Sequence, residues 1–239
     1  MIDHLRLAFD DVQTTLRTVL SIEDDGVVGP FGGTHPQSLR QTYFGEADNE
    51  DYDHITATLN NMPEAIGAAS FSCIDEKHDP WGQRDKCYTH VALSQHERNH
   101  IVLCPAFLRT GLLGNSSMIG ATMEQVHGGD ENLAAHVLIH ELAHTSAASN
   151  QRRIVDWFLM APLGGEKGKF AYQSSPVQEL ACMSPRHAVE NADNVAWYAL
   201  SMALALKGAV VERISNWDCR RARHRYEALV DPENFMIPT

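Results

Sequence analysis

The sequence predicts an α+β fold, and three observations support this prediction. Residues 2–20 are apolar at every third or fourth position, which is typical of an amphipathic helix. Two short segments near the middle, 87–93 and 99–103, are rich in β-branched and aromatic residues and flank the polar turn SQHER. An apolar helical segment that carries histidines follows them. We therefore predict a small, mostly antiparallel sheet, a helix with the motif H-E-x-x-H, and a helical C-terminal part.

The remaining elements are predicted from periodicity and from helix-breaking residues. Further helices are predicted at 51–69, 177–184 and 190–207, and loops at 21–37, 109–130 and 148–176. Pro63 lies inside the second helix and predicts a break or kink there. The last segment, 209–239, is polar and mixed. The length of 239 residues suits a single domain over 1–239. We expect an N-terminal lobe of about 1–147, a C-terminal lobe of about 148–239, and a cleft between them.

The segment 135–147, AHVLIHELAHTSA, contains the motif H-E-x-x-H at residues 140–144. Residues four apart lie on one face of a helix, so His140 and His144 can bind the same Zn²⁺. Glu141 stands beside the first histidine, where it can accept a proton from the attacking water. Burying such polar groups is costly unless they are satisfied. The motif therefore predicts one zinc ion per chain.

The residues before the motif support a helix from about 131 to 147. Asp130 reads as its N-cap, and Glu131 as part of an acidic first turn. His136 lies one turn before His140 on the same side of the helix. We expect it to support a ligand from behind or to lie on the surface, because the motif already supplies two ligands.

Two histidines leave a catalytic zinc site short of one protein ligand. A third histidine in the pattern H-E-x-x-H-x-x-G-x-x-H is excluded, because Ala147 and Asn150 stand where glycine and histidine are needed. A carboxylate is the remaining choice. The candidates are Asp156, Glu179, Glu190 and Asp193.

Several ordered pieces of the sequence together resemble the aspzincin metallopeptidases, the group of deuterolysin and peptidyl-Lys metalloendopeptidase. The resemblance covers roughly residues 70–205. Its pieces are C-I-D at 73–75, I-V-L-C-P at 101–105, H-E-x-x-H, the region of Asp156, Ala171-Tyr172 followed by Cys182, and N-A-D-N at 191–194 followed by Trp197-Tyr198. The resemblance implies a zincin-like fold, a zinc cofactor, and endopeptidase activity on a protein or peptide substrate.

The resemblance also implies roles for two further residues, through the family pattern G-T-x-x-D-x-x-Y-G. The aspartate of that pattern is the third zinc ligand, and the tyrosine stabilises the oxyanion. Tyr172 matches the tyrosine, but Lys169 stands where the aspartate belongs. The glycine-rich stretch 164–168 could be an insertion, so we carry the ligand role to Asp156. Asp193 is the rival, and its alternative role is a helix cap or a hydrogen-bond acceptor for a ligand histidine.

The five cysteines include no C-x-x-C motif, which argues against a cysteine zinc site. The resemblance implies two disulfides, Cys73–Cys87 and Cys104–Cys182, with Cys219 free. Disulfides are typical of secreted proteins. The N-terminal segment lacks the continuous apolar core of a signal peptide. We therefore expect either a secreted protein whose leader was removed or a cytoplasmic one.

Composition limits the partners. A net charge of −12 disfavours nucleic acid and anionic membrane surfaces, which require a basic face. No apolar run reaches the ~20 residues that span a membrane. With 44% hydrophobic and 21% charged residues, the chain has ordinary globular composition. We expect a monomer without nucleic-acid or membrane partners.

Three other interpretations stay open from the sequence. The first is a peptide-processing hydrolase with one defined substrate. The second is a catalytically inactive zinc-binding homologue that acts as a binding or effector protein; the altered segment before Tyr172 allows it, and the presence of Glu141 disfavours it. The third is a structural protein in which the motif is accidental. Whether cleavage is directed to lysine or broad cannot be predicted from these residues.

Overall fold

The computed structural model describes residues 2–25, 36–74, 85–88, 90–109, 134–150, 152–160, 169–172, 174–205, 216–225 and 227–230. The helices are α1 (Ile2–Asp25), α2 (Pro36–Phe44), α3 (Asn49–Ala68), α4 (Pro105–Arg109), α5 (Ala134–Ala143), α6 (Ser146–Ser149), α7 (Ser174–Met183), α8 (Pro185–Val189), α9 (Ala192–Ala205) and α10 (Asn216–Arg225). The strands are β1 (Ser70–Cys73), β2 (Ala92–Gln95), β3 (His100–Leu103), β4 (Trp157–Met160), β5 (Lys169–Phe170) and β6 (Glu227–Val230). Helices therefore dominate an α+β fold, as predicted.

The described strands form two small sheets. The first has the order β1-β3-β2, with β1 parallel and β2 antiparallel to the central β3. The second has the order β5-β4-β6, and both of its pairings are antiparallel. The first sheet is thus mixed, where the sequence predicted a mostly antiparallel one. The difference comes from β1, which the sequence analysis did not recognise as a strand.

Most predicted elements are present, with shifted ends. The first predicted helix extends to Asp25, and Pro63 lies inside α3 without ending it. The hairpin around SQHER is confirmed, but its first strand begins only at Ala92, because Lys86–Tyr88 form a turn of 3₁₀ helix. The C-terminal segment that appeared mixed contains α10 and β6. The predicted cap Asp130, most of the predicted loop 109–130, and the centre of the loop 21–37 lie outside the described residues.

The core is organised around α9. All fourteen residues of this helix are buried, so it is surrounded on every side. It packs against α1, α2, α5, α7 and α8. In α1 the predicted periodic positions Val12, Leu16 and Val19 are fully buried. None of the described helices is long and apolar enough to cross a bilayer.

Two disulfides are present, but the predicted pairing is wrong. Cys87 is bonded to Cys104, and Cys182 to Cys219, while Cys73 is a free and exposed thiol. The turn at Lys86–Tyr88 brings Cys87 to the end of β3, where the Cα atoms of Cys87 and Cys104 are 5.2 Å apart. Cys182 lies on α7, which packs against α10 and so faces Cys219. The presence of two disulfides is compatible with an extracellular protein.

Candidate metal centre

The helix α5 carries the first two candidate ligands. It is buried along most of its length, and its polar residues include Glu141. His140 lies in its last turn, and His144 directly follows its end at Ala143. Because one turn separates the two histidines, their rings lie side by side with centroids 4.8 Å apart.

The hairpin β2–β3 fixes the C-terminal end of this helix. Asn99 adopts a left-handed conformation (φ 46°) at the hairpin turn, where asparagine is tolerated better than most residues. Its side-chain oxygen accepts hydrogen bonds from the Ser146 hydroxyl and the Ala147 amide, at 3.0 and 2.9 Å. The Nδ1 atom of His96 bonds to the backbone carbonyl of His144. The chain that leaves the second histidine is therefore held on the sheet.

Three donor atoms from distant parts of the chain form a nearly equilateral triangle. His140 Nε2 and His144 Nε2 are 3.2 Å apart, and Asp156 Oδ1 lies 3.4 and 3.3 Å from them. A tetrahedral zinc ion with ligands at ~2.0–2.1 Å requires donor atoms about 3.3–3.4 Å apart. The described residues thus contain a set of two imidazoles and one carboxylate that could hold a metal ion. Both the donor chemistry and the spacing suit Zn²⁺.

The hydrogen bonds of the two imidazoles point their lone pairs at the centre of this triangle. His144 Nδ1 lies 3.0 Å from the carbonyl oxygen of Ile154, which can only accept, so this nitrogen carries a proton. His140 Nδ1 lies 2.8 Å from Asp193 Oδ1. In the neutral rings both Nε2 atoms then present lone pairs to each other at 3.2 Å. That arrangement is repulsive unless a proton or a metal ion lies between them.

The carboxylates around the histidines favour a cation at this position. Burial acts to lower the pKa of His140. The carboxylates of Asp156 and Asp193 together have a larger, opposite effect, so they raise this pKa to about 10. Burial likewise opposes protonation of His144, yet Asp156 shifts its pKa upward. Without a metal ion, protons therefore bind here more tightly than to ordinary histidines. A metal ion competes for the same nitrogen atoms.

Two features bring Asp156 close to α5. The first is a short parallel bridge at Val155, and the second is the pairing of β4 with β5, which we call the ribbon. The Val155 amide donates to Glu190 O at 2.8 Å, and the Ala192 amide donates to Val155 O at 3.1 Å. Directly after Asp156 the chain enters β4, which pairs with β5 so that Phe158 lies opposite Phe170. The start of β4 and the end of β5 are at the same end of this ribbon, because the strands are antiparallel.

Tyr172 reaches the site from the same end of the ribbon. It comes two residues after β5, and its ring lies edge-on to that of His140, with centroids 5.8 Å apart. The Trp197 indole donates to the Tyr172 carbonyl at 2.9 Å, which ties this segment to α9. Pairing of the two strands thus compensates for the separation of Asp156 and Tyr172 in sequence.

Glu141 is buried between the helix and the first sheet. A hydrogen bond from Ser94 on β2 reaches its carboxyl group, and His140 and His144 lie close enough to interact with it electrostatically. Burial raises the pKa of Glu141 above its usual value, although both effects partly counteract the rise. A carboxylate with a raised pKa is a stronger base.

Comparison with known proteins decides the family. A profile of the aspzincin family, described as lysine-specific metallo-endopeptidases, matches residues 33–200, which is more than half of the chain. The chain belongs to the aspzincin family. A zinc peptidase from Grifola frondosa has a similar fold, with a TM-score of 0.52 and 18% identity over 83% of this chain and 93% of that one. The search among curated proteins gave no match. As an aspzincin, the protein is a zinc metallopeptidase in general terms.

The other carboxylates considered as ligands of this aspzincin lie elsewhere. Glu179 forms an ion pair with Lys169 at 2.7 Å, so Lys169, which occupies the family's aspartate position, is bonded to α7. Glu190 pairs with Arg152 at 2.9 Å. Asp193 is buried beside the Nδ1 atom of His140, on the side of that ring away from the triangle.

His136 is buried behind the candidate ligands, as one of the two sequence alternatives expected. Its Nε2 atom lies 3.7 Å from Asp193 Oδ1, and its ring packs against Trp197 with centroids 4.9 Å apart. Burial and the neighbouring His140 lower the pKa of His136 to about 3. It is therefore a neutral residue in the wall behind the site.

Sequence reasoning missed the residues that hold the candidate metal centre together. Ser94, His96 and Asn99 belong to the predicted hairpin, but nothing local indicates that they contact α5. Asn191 belongs to the N-A-D-N piece, and its buried amide bonds to the segments on both sides of the ribbon. Asparagine beside a helix start was the available signal, and that position is typical of a cap.

Proposed function

We propose that this protein is a zinc-dependent endopeptidase, with the helix segment 140–144 as its active-site motif. In this proposal His140, His144 and Asp156 bind the zinc ion. The observation that carries the proposal is the triangle of their donor atoms, with sides of 3.2–3.4 Å. Family membership supports it independently.

Glu141 is proposed as the general base. When bound, zinc supplies a Lewis acid for the substrate carbonyl and for the attacking water. The Glu141 carboxylate accepts a proton from this water and delivers it to the nitrogen of the leaving amine. Burial raises the pKa of Glu141, which favours proton uptake in the first step, and the bond from Ser94 orients the carboxyl group.

Tyr172 is proposed to donate its hydroxyl proton in a hydrogen bond to the developing oxyanion. The edge-on contact with His140 supports this role, because it holds the tyrosine ring next to a proposed ligand. Such a donor stabilises the transition state more than the ground state, so its contribution appears in kcat.

An extended substrate is proposed to bind along β2. The central strand β3 has β1 and β2 on its two sides, so its own edges are already paired. In the described part of the chain, the outer edge of β2 has no strand partner. This strand also contacts α5 and carries Ser94. A peptide that adds to β2 would therefore pass beside Glu141.

Four statements remain predictions from the sequence: that the protein is secreted, that it is a monomer, that it has no nucleic-acid or membrane partners, and that a cleft lies between two lobes. The two disulfides support secretion. A peptidase acts on protein or peptide substrates, and either a broad or a single-substrate enzyme fits the site equally.

The test is a peptide-library digest with three proteins incubated with zinc: wild type, Glu141→Gln and Glu64→Gln. Glu64 is exposed on α3, so its variant makes the same chemical change away from the site. Bound zinc is measured by elemental mass spectrometry and cleavage by peptide mass spectrometry. We expect one zinc per chain in all three, and cleavage by wild type and Glu64→Gln only.

Each other outcome identifies a different error. Near-normal cleavage by Glu141→Gln would refute its role as the base. Zinc binding without cleavage by wild type would favour a dedicated substrate or a non-catalytic binding protein. No zinc in wild type would refute the metal site. The sequences flanking the cut bonds would show whether cleavage is directed to lysine.

A further inference from the structure

The side chain of Asn191 is inserted into the ribbon between the segments that carry Asp156 and Tyr172. It is fully buried at the start of α9. Its Oδ1 atom accepts a hydrogen bond from the Trp157 amide at 3.1 Å, and its Nδ2 atom donates to the Ala171 carbonyl at 3.0 Å. Trp157 directly follows Asp156, and Ala171 directly precedes Tyr172.

The amide occupies the place of a backbone hydrogen bond. In the register of the ribbon, with Phe158 opposite Phe170, Trp157 lies opposite Ala171. The Ala171 amide does donate to the Trp157 carbonyl, at 2.9 Å. An antiparallel pair of this kind would normally exchange a second bond, from the Trp157 amide to the Ala171 carbonyl. Here both groups bond to Asn191 instead, so its side chain takes the place of the second backbone bond at this end of the ribbon.

A second hydrogen bond donated by the Asn191 side chain fixes the orientation of its amide group. Nδ2 also donates to Asn194 Oδ1 at 2.7 Å. Asn194 in turn donates to the carbonyl oxygens of Tyr43 and Val177, so its own orientation is determined. A reversed Asn191 amide would place its oxygen against two acceptors and its nitrogen against a donor. The Asn191 side chain therefore has one orientation and is a fixed part of the core.

We propose that Asn191 is a positioning residue that sets the separation of Asp156 and Tyr172 at the metal centre. The backbone bridge already fixes Val155, and the Asn191 side chain extends that connection past Asp156 to Trp157. The same side chain fixes the residue before Tyr172. This inference rests on the proposed function for the roles of Asp156 and Tyr172, but its effect on metal binding can be measured without peptidase activity.

The experiment compares Asn191→Ala and Asn191→Asp with Ser201→Ala. In Asn191→Ala the two strands can close and form the missing backbone bond, so the protein can fold with Asp156 and Tyr172 displaced. Asn191→Asp keeps the acceptor for Trp157 but loses the donor to Ala171. Ser201 is buried on the same helix and bonds to the Tyr43 hydroxyl at 2.7 Å, so its variant also loses a buried hydrogen bond, but away from the site.

Three quantities are measured for each protein: the zinc dissociation constant by chelator competition, the visible absorption spectrum of the Co²⁺ form, and kcat at saturating zinc. Melting temperatures are recorded alongside to compare stability. For Asn191→Ala we expect zinc binding ~10–100-fold weaker, the range found when residues that orient metal ligands are changed, with an altered cobalt spectrum. For Asn191→Asp we expect smaller changes in metal binding but a kcat ~10²-fold lower, since a displacement of about 1 Å can cost that much. Ser201→Ala should lower only the melting temperature.

The proposal is overturned if folded Asn191→Ala matches Ser201→Ala in zinc affinity and cobalt spectrum. The claim that Asn191 positions Tyr172 is overturned if Asn191→Asp keeps the wild-type kcat. Should wild type bind zinc but cleave nothing, the proposed endopeptidase function fails, while zinc affinity and the cobalt spectrum still decide the role of Asn191. Should Asn191→Ala fail to fold, Asn191→Ser takes its place under the same criterion, because a serine side chain is too short to bridge the Trp157 amide and the Ala171 carbonyl.

Discussion

Asp193 provides a quantitative test of how the candidate ligands are supported. Its carboxylate is buried and lies 2.8 Å from His140 Nδ1, so it accepts a hydrogen bond from the N–H group on the far side of the ring. This bond fixes the ring orientation and makes Nε2 a better metal ligand. Residues in this position typically contribute 10–100-fold to metal affinity, which is ~1.4–2.8 kcal/mol. Asp193→Asn keeps an acceptor and removes the charge, so we expect the lower end. Asp193→Ala removes both, so we expect the upper end.

The assay is a competition titration with a chelator of known zinc affinity, at one pH and ionic strength. Glu64→Gln is the control for Asp193→Asn, because Glu64 is exposed on α3 and loses the same charge. Its zinc affinity should equal that of wild type. If both Asp193 variants also bind zinc as tightly as wild type, then Asp193 does not support His140. If Asn and Ala weaken binding equally, then the charge, rather than the hydrogen bond, is the whole effect.

Three further predictions concern catalysis, acid stability and the disulfides. Tyr172→Phe should lower kcat by ~10²–10³ with little change in zinc affinity; an unchanged kcat measured on a cleaved peptide would exclude it as the oxyanion donor. Burial and His140 lower the pKa of His136 to about 3 from an ordinary 6.5, so the unfolded state binds its proton more readily. In metal-free protein, His136 should then contribute a loss of stability as pH drops from about 6.5 towards 3, with a slope approaching ~1.4 kcal/mol per pH unit. Urea unfolding of His136→Phe should show a pH slope smaller by that amount, and identical slopes would contradict the shift. Peptide mapping without reduction should recover Cys182 linked to Cys219 and Cys73 alkylated, and a Cys73 cross-link would contradict the structure. Breaking the Cys182–Cys219 disulfide should lower the free energy of unfolding by ~4 kcal/mol, because it closes a loop with a sequence separation of 37 residues.

The sequence predicted the parts of the candidate metal centre whose positions depend on local geometry. His140 and His144 lie one turn apart, at the last turn and the end of α5, because the spacing of four matches a helical turn, and this needs no knowledge of the rest of the fold. The apolar periodicity of α1 identified its buried face for the same reason. Asp156 is different, because its distance from the histidines depends on the Val155 bridge and on the pairing of β4 with β5. The resemblance to a family made Asp156 a candidate ligand, because residue spacing in the sequence alone could not predict this contact.

The errors also have physical reasons. The segment SFSC of β1 has no β-branched residue, and its pairing depends on His100 across the sheet. Ser70 and Ser72 bond to the two ring nitrogens of His100, at 2.6 and 2.9 Å. A contact across 30 residues leaves no local signal. The disulfide pairing was carried over from relatives, but it is decided by the turn at Lys86–Tyr88 and by the packing of α7 on α10.

The central claim is that two imidazoles and one carboxylate bind zinc. Zinc K-edge X-ray absorption of the reconstituted protein tests it most directly, because it reports the number, type and distance of the ligand atoms. We predict about four nitrogen and oxygen ligands at ~2.0–2.1 Å, with the multiple-scattering pattern of two imidazoles. Sulfur ligands at ~2.3 Å, or a six-oxygen shell without imidazole, would contradict the assignment of His140, His144 and Asp156.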